Sequence, residues 1–370
     1  MEKIKVLVVD DTIVYRKIIS DVLRDMPDVE VVGSANNGKI ALSRIKSLKP
    51  DLVTLDIEMP EMSGIEVLEH LKHIPDAPIT VMLSTLTHKG SDMTIKALEL
   101  GAFDFIPKPD GGRMAENVIK IKKAFTPIFE SYKRQRAIRL KLKKGGRGTP
   151  SASIPAKKPL THTAPGRTIA SARTRSTLSE IVGIGISTGG PNALSKMIPM
   201  LSNKINVPVL IVQHMPPMFT ASLAKSLNSK SALTVKEAEN GEPIVPNTVF
   251  IAPGGKQMKI IAGADGKTRN IKITDDPPEN SCKPSADYLF RSIAQHYIGR
   301  ATGVIMTGMG SDGTKGLQLM KKNGSIIIAQ NQATCTVYGM PKEPIESGIA
   351  DVIAPLEKIA EEITKTVIKI

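Results

Sequence analysis

A serine stands at the centre of the glycine-rich run GIGISTGGP, residues 183–191, and its spacing admits three kinds of chemistry. G-x-G with a later glycine is a dinucleotide-binding turn, whereas G-x-S-x-G, here Gly185, Ser187 and Gly189, is an elbow that exposes a nucleophilic serine. The third reading is an ordinary strand-to-helix turn. A second cluster is acidic: Asp10 and Asp11 end VVDD and Asp56 ends LVTLD, each after a run of apolar residues. Converging carboxylates repel unless a cation sits among them, and a small set of hard oxygen ligands suits Mg²⁺. Ser84 and Lys108 also follow apolar runs. Carboxylates, a hydroxyl, a lysine and Mg²⁺ are the parts that place a phosphoryl group on an aspartate.

These residues need elements to position them. Strand-like runs at residues 5–9, 30–34, 52–56, 79–83 and 104–107 alternate with amphipathic segments at 15–26, 38–48, 64–73, 93–100 and 116–125. Five β-α units in series predict a doubly wound parallel sheet, whose strand carboxyl ends would gather the acids. The second half repeats the alternation. EIVGIGIS, VPVLIVQHM and ATGVIMTG read as buried strands, each before a helical pattern, followed by SIIIAQN, ADVIAP and a last helix near 356–369. Between them, TVFIAPGGKQMKII reads as a hairpin turning at residues 253–255, with NIKITDD as one more strand. The expected fold class is α/β: an N-terminal (βα)5 domain with a parallel sheet over 1–125, a basic flexible linker over 126–179, and a C-terminal doubly wound α/β domain with a β-hairpin insert over 180–370.

With 370 residues, two domains are the natural expectation. The net charge of +14 invites a nucleic-acid reading, but residues 131–179 carry thirteen of the cations and no acid. That segment is rich in Gly, Pro, Ser and Thr, which marks a solvated tether, and residues 180–370 show no compact helix-turn-helix pattern. No nucleic-acid partner is expected. No run approaches the roughly 18 apolar residues of a membrane span, and MEKIKVLVVDD has acids where a secretory signal has its apolar core. The expectation is a cytoplasmic protein without membrane insertion. Cys282 and Cys335 lack metal-ligand spacing and read as ordinary reduced thiols.

The second strand of the C-terminal half chooses among the readings of Ser187. A dinucleotide fold would place an acid near its end for the ribose, but VQHMP offers His214, a general base. Asp312 in GMGSDG follows the apolar GVIMT, so serine, base and orienting carboxylate would meet at strand ends of one sheet. Gly189 and Gly190 would let the chain turn into a helix whose free amides face an oxyanion. His70, His73, His88, His162 and His296 are weaker candidates for the base.

Two resemblances follow from these motifs. VVDD, LDIEMPEMSG, MLST and GAFDFIPKP, in this order, resemble the response-regulator receiver domain across residues 3–125. The resemblance implies Asp56 as phosphoacceptor, Asp10 and Asp11 beside it on Mg²⁺, Ser84 and Lys108 on the phosphoryl oxygens, and Phe105 as the aromatic that changes rotamer on activation. Thr85 is bulkier than many receivers carry there, which leaves open whether Ser84 or Thr85 touches the phosphate. GISTGGP, VQHMPPMFT, IAPGG and MTGMGSDGTKG resemble the catalytic domain of the chemotaxis protein-glutamate methylesterases (CheB) over most of 180–355.

That second resemblance implies Ser187 as nucleophile, His214 as base and acid, and Asp312 as orienting carboxylate. The Met309 amide becomes an oxyanion donor, Thr188 and Met215 shape the site, and the esterase step uses no cofactor. The implied substrates are glutamate γ-methyl esters on methyl-accepting chemotaxis receptors, with methanol leaving, and glutamine side chains, with ammonia leaving. A chemotaxis histidine kinase would be the phosphodonor, and the unphosphorylated receiver would pack on the active-site face. The alternative is a receiver-linked regulator or adaptor that serves a sensory partner outside chemotaxis.

Overall fold

The structure is a computed structural model that describes residues 3–109, 113–144 and 177–369. The first apolar runs form five strands, β1 (Ile4–Val9), β2 (Val29–Ala35), β3 (Leu52–Asp56), β4 (Ile79–Ser84) and β5 (Asp104–Pro107). They make one parallel sheet in the order β2-β1-β3-β4-β5. Helices α1 (Ile13–Arg24), α2 (Gly38–Leu48), α3 (Gly64–Leu71), α4 (His88–Glu99) and α5 (Met114–Lys144) cover both faces. The strand order reverses between β1 and β3, which opens a crevice at their carboxyl ends.

Two helices depart from expectation. Helix α4 starts five residues before the predicted 93, because the Thr87 hydroxyl accepts the Gly90 amide and caps it. Helix α5 runs far past the predicted end at 125: Ile128 and Phe129 continue the buried stripe of Ile121 and Phe125. The expected flexible linker over 126–179 is therefore helical through Lys144. Its residues 145–176 lie outside the described residues.

In the second half, β6 (Ile181–Ile186), β7 (Val209–Gln213), β8 (Thr234–Glu237), β9 (Thr248–Ile251), β12 (Ala301–Ile305), β13 (Ile326–Gln330) and β14 (Val352–Ala354) form a seven-stranded parallel sheet. The order is β14-β13-β12-β6-β7-β9-β8, so β6 lies at the reversal point. Helices α6 (Gly190–Met197), α7 (Phe219–Asn228), α8 (Ala286–His296), α9 (Thr314–Lys322), α10 (Lys342–Glu346) and α11 (Leu356–Val367) flank it. The hairpin lies elsewhere than expected. TVFI joins the parallel sheet as β9, and the antiparallel pair is β10 (Gln257–Ala262) with β11 (Arg269–Thr274), turning at Gly263 to Gly266. Residues 248–251 are wholly buried between two strands, a place the short-range turn signal at 253–255 does not report.

The two units share one apolar core. Leu98 and Ile95 of α4 belong to the same buried cluster as Leu194, Phe219 and Leu223 of α6 and α7. Burying such side chains is worth roughly 1.5–3 kcal/mol each against exposure. Polar contacts rim the apolar seam: Ser91 with Ser222 at 2.8 Å, Asp92 with Lys225 at 2.9 Å, and Glu99 with Ser226 and Lys230, both at 2.6 Å.

Candidate active site

Ser187 follows β6, and the backbone turns there at once into α6. Gly189 has φ +78°, and a Cβ on it would lie 2.4 Å from Thr336, so glycine is needed both for the left-handed turn and for the approach. Gln213 holds the turn from the neighbouring strand by donating its amide to the Ser187 carbonyl at 3.1 Å. Ile186 pairs with Gln213 in the β6–β7 register, which sets Ser187 beside His214.

His214 Nε2 lies 2.8 Å from Asp312 Oδ2. Asp312 is buried and heavily bonded: it accepts from the Ala286 amide at 2.6 Å, Ser285 Oγ at 2.8 Å and Asn280 Nδ2 at 2.9 Å. It therefore caps the amino end of α8. Burial opposes its charge, but the His214 contact and these donors prevail and hold the carboxyl down at about 2. An ionised carboxylate only accepts, so His214 donates from Nε2 and keeps Nδ1 free of Asp312. The atom facing Nδ1 is Cys282 Sγ, at 3.6 Å. Among the described residues no hydrogen bond joins the Ser187 hydroxyl to His214.

Burial would lower the His214 pKa, yet the Asp312 and Cys282 contacts outweigh it and push it up to about 9. The imidazolium–carboxylate pair thus stabilises the fold fully below the free imidazole value of about 6.5, and that contribution is lost as pH rises through about 9. A base must be unprotonated. Ester hydrolysis by the resting protein is expected to climb with pH to a midpoint near 9, and Cys282→Ala should move the midpoint down. A rate profile from pH 6 to 10 on both proteins checks this; a flat profile excludes His214 as the titrating base.

The remaining candidates gather at the same mouth. Met215 is buried beside His214, and the Met309 amide donates no hydrogen bond among the described residues. Two of them touch the other unit. Thr188 Oγ1 donates to Asp104 Oδ2 at 3.0 Å, and Ser131 Oγ lies 3.4 Å from Met309 Sδ. Phe105 stacks obliquely on Phe219, ring centroids 4.5 Å apart. Burial raises the Asp104 carboxyl to about 6. Asn280, Cys282 and Asp104 were not found from sequence. Asn280 and Cys282 reach the site through a tight turn that Glu279 closes with Cys282, a tertiary event without a local pattern; Asp104 adjoins Phe105, the one signal available.

Asp10, Asp11, Asp56 and Lys108 come together in one crevice. Lys108 Nζ lies 2.7 Å from Asp56 Oδ2 and 2.8 Å from Asp10 Oδ2. Burial raises the Asp56 carboxyl to about 6 against the pull of Lys108. Oxygens of Asp10, Asp11 and Asp56 come within 4.8 Å of one another, and buried Asp10 Oδ2 has the lysine as its ion pair. One lysine leaves excess negative charge, so the residues fit a divalent cation with oxygen ligands. Ser84 Oγ is turned inward, toward the Gly90 carbonyl at 3.3 Å and Thr94 Oγ1 at 2.6 Å, while half-buried Thr85 meets Thr87 at 3.3 Å.

Comparison with known proteins agrees with both halves. The family model for the response regulator receiver domain matches residues 6–119, and that for CheB methylesterase matches 182–363. A protein-glutamate methylesterase/protein-glutamine glutaminase of Desulfotalea psychrophila is 56% identical over 99% of both chains. The chain belongs to the CheB methylesterase family. A Bacillus subtilis protein of the same description is 43% identical over 99% of both chains. The crystal structure of the Thermotoga maritima CheB methylesterase catalytic domain is 43% identical, with a TM-score of 0.49, covering 50% of this chain and 98% of that one. A receiver domain and a CheB methylesterase domain thus share one polypeptide here. No helix among the described residues is long and apolar enough to cross a membrane.

Proposed function

We propose that the protein hydrolyses glutamate γ-methyl esters on chemoreceptors, releasing methanol, and deamidates receptor glutamines, working in the cytoplasm in chemotaxis adaptation. The observation that carries this reading is the Asp312–His214 pair set beside Ser187 on adjoining strand ends. Ser187 attacks the side-chain carbonyl as His214 takes its proton at Nδ1, the Met309 amide donates to the developing oxyanion, and methanol or ammonia leaves with that proton. Water then enters by the same route and frees the glutamate. Asp312 keeps the ring oriented and balances the imidazolium charge.

A chemotaxis histidine kinase supplies the phosphoryl group to Asp56. Asp10, Asp11 and Asp56 would hold Mg²⁺, which neutralises charge on the transferred group, and Lys108 and Ser84 or Thr85 would meet its oxygens. The domains act as residues 1–125 and 180–370, joined through α5 and the basic segment. Phosphorylation opens access because the α4–β5 face, which carries Glu99, Asp104 and Phe105, touches Thr188 and α7 beside the serine. Asp56→Asn should leave basal hydrolysis in place and remove its stimulation by a small phosphodonor. Methanol release with and without phosphodonor tests this; stimulation that persists in the variant would place the phosphoacceptor elsewhere.

A further inference from the structure

We propose that Cys282 and His214 form an inhibitory site for a thiophilic divalent ion of the zinc class. The inference goes beyond the esterase reading: its inhibitory consequence rests on that reading, and its metal binding does not. Cys282 Sγ and His214 Nδ1 are 3.6 Å apart. Two ligands at tetrahedral zinc, with Zn–S near 2.3 Å and Zn–N near 2.0–2.1 Å, stand about 3.5–3.6 Å from one another. The spacing of the two atoms already matches that of a zinc ligand pair.

The surroundings favour the ion in two further ways. His214 Nε2 bonds to Asp312 at 2.8 Å, so Nδ1 is the nitrogen that offers its lone pair once the ring loses a proton, in the carboxylate–histidine arrangement that backs zinc ligands. Asp312, engaged by four other donors, serves as this support while ligation falls to sulfur and nitrogen. The three residues present their ligand atoms within 4.8 Å of one another. The turn that carries Cys282 is held by paired backbone bonds between Glu279 and Cys282 and by Arg291 on Glu279 at 2.8 Å, so the thiol is held in place before any ion arrives. Cys282 is half-buried and the His214 side chain is 14% exposed, so both touch the solvent that would supply the remaining ligands.

On binding, the thiol proton and the Nδ1 proton of the resting imidazolium pass to solvent, the ion sheds two waters, and metal–sulfur and metal–nitrogen bonds form. The nitrogen so occupied is the one that must take the Ser187 proton. Metal binding and hydrolysis are therefore mutually exclusive. Cys335 supplies the contrast: burial pushes its thiol up to about 12, and it donates to the Gln330 carbonyl at 3.9 Å, with no histidine or acid grouped with it among the described residues.

The test uses the full-length protein with Mg²⁺ in excess, so that the acidic crevice is filled, titrated with Co²⁺ and then Zn²⁺. One Co²⁺ per chain should give a thiolate-to-cobalt charge-transfer band that Zn²⁺ displaces. Zinc should lower ester hydrolysis by about 100-fold or more, as loss of a general base does, and a chelator should restore it. Cys282→Ala and Cys282→Ser should both lose the band and the zinc sensitivity, with folding checked by circular dichroism, whereas Cys335→Ala keeps both. A wild type without the band, or a band that survives in a folded Cys282 variant, overturns the site. A band without zinc inhibition keeps the site and overturns its inhibitory role, and a band in a protein that hydrolyses no ester faults the functional reading alone.

Discussion

Ser187→Ala lowers the rate of ester hydrolysis by about 10⁴-fold or more, the scale on which loss of a triad member is felt, while phosphorylation at Asp56 proceeds unchanged. The two effects separate because the residues serve different sheets. Ser187 follows directly on the central strand of the seven-stranded sheet, and Asp56 ends a strand of the other. Deleting one hydroxyl leaves the Gly189 turn, the Gln213 clamp and the Asp312–His214 pair in place, so the fold is preserved and only the nucleophile is gone. Methanol release from receptor-containing membranes carrying labelled methyl esters measures the first effect, and phosphate uptake from a small donor the second. A variant within tenfold of wild type would move the nucleophile to another residue.

Glu99→Lys raises basal hydrolysis about fivefold or more without phosphodonor, within the usual span of coupling free energies of about 1–3 kcal/mol. Glu99 joins α4 to α7 through Ser226 and Lys230, and lysine there sets two cations against each other across the seam. The exposed part of such an ion pair is worth little, but the seam also holds Phe105 against Phe219 and Asp104 against Thr188, next to the serine. Loosening one edge should shift the population toward separated units and uncover the mouth. The gain should shrink when phosphodonor is added, since both act on the same equilibrium. Equal stimulation of variant and wild type would dissociate the α4–α7 contact from regulation.

Much of this was legible in the sequence because its signals are local. Uninterrupted apolar runs are what strands buried on both faces of a parallel sheet require, and β1, β3 and β5 fall within a residue of expectation. Strand carboxyl ends converge in such sheets, so Asp10, Asp56 and Lys108, and Ser187, His214 and Asp312, could be grouped before their distances were known. Long-range pairing was another matter. Whether TVFI turns back on its neighbour or enters a parallel sheet depends on β7 and β8, both earlier in the chain and more than ten residues away, so a short-range turn signal misplaces the hairpin. Helix α5 runs on past Phe125 because later residues find a surface to bury against, which composition does not encode. Only the tertiary structure could bring Asn280 to Asp312, Asp104 to Thr188 and Cys282 to His214. These residues come from segments 32 to 84 positions apart, and the contacts exist because packing closes those distances.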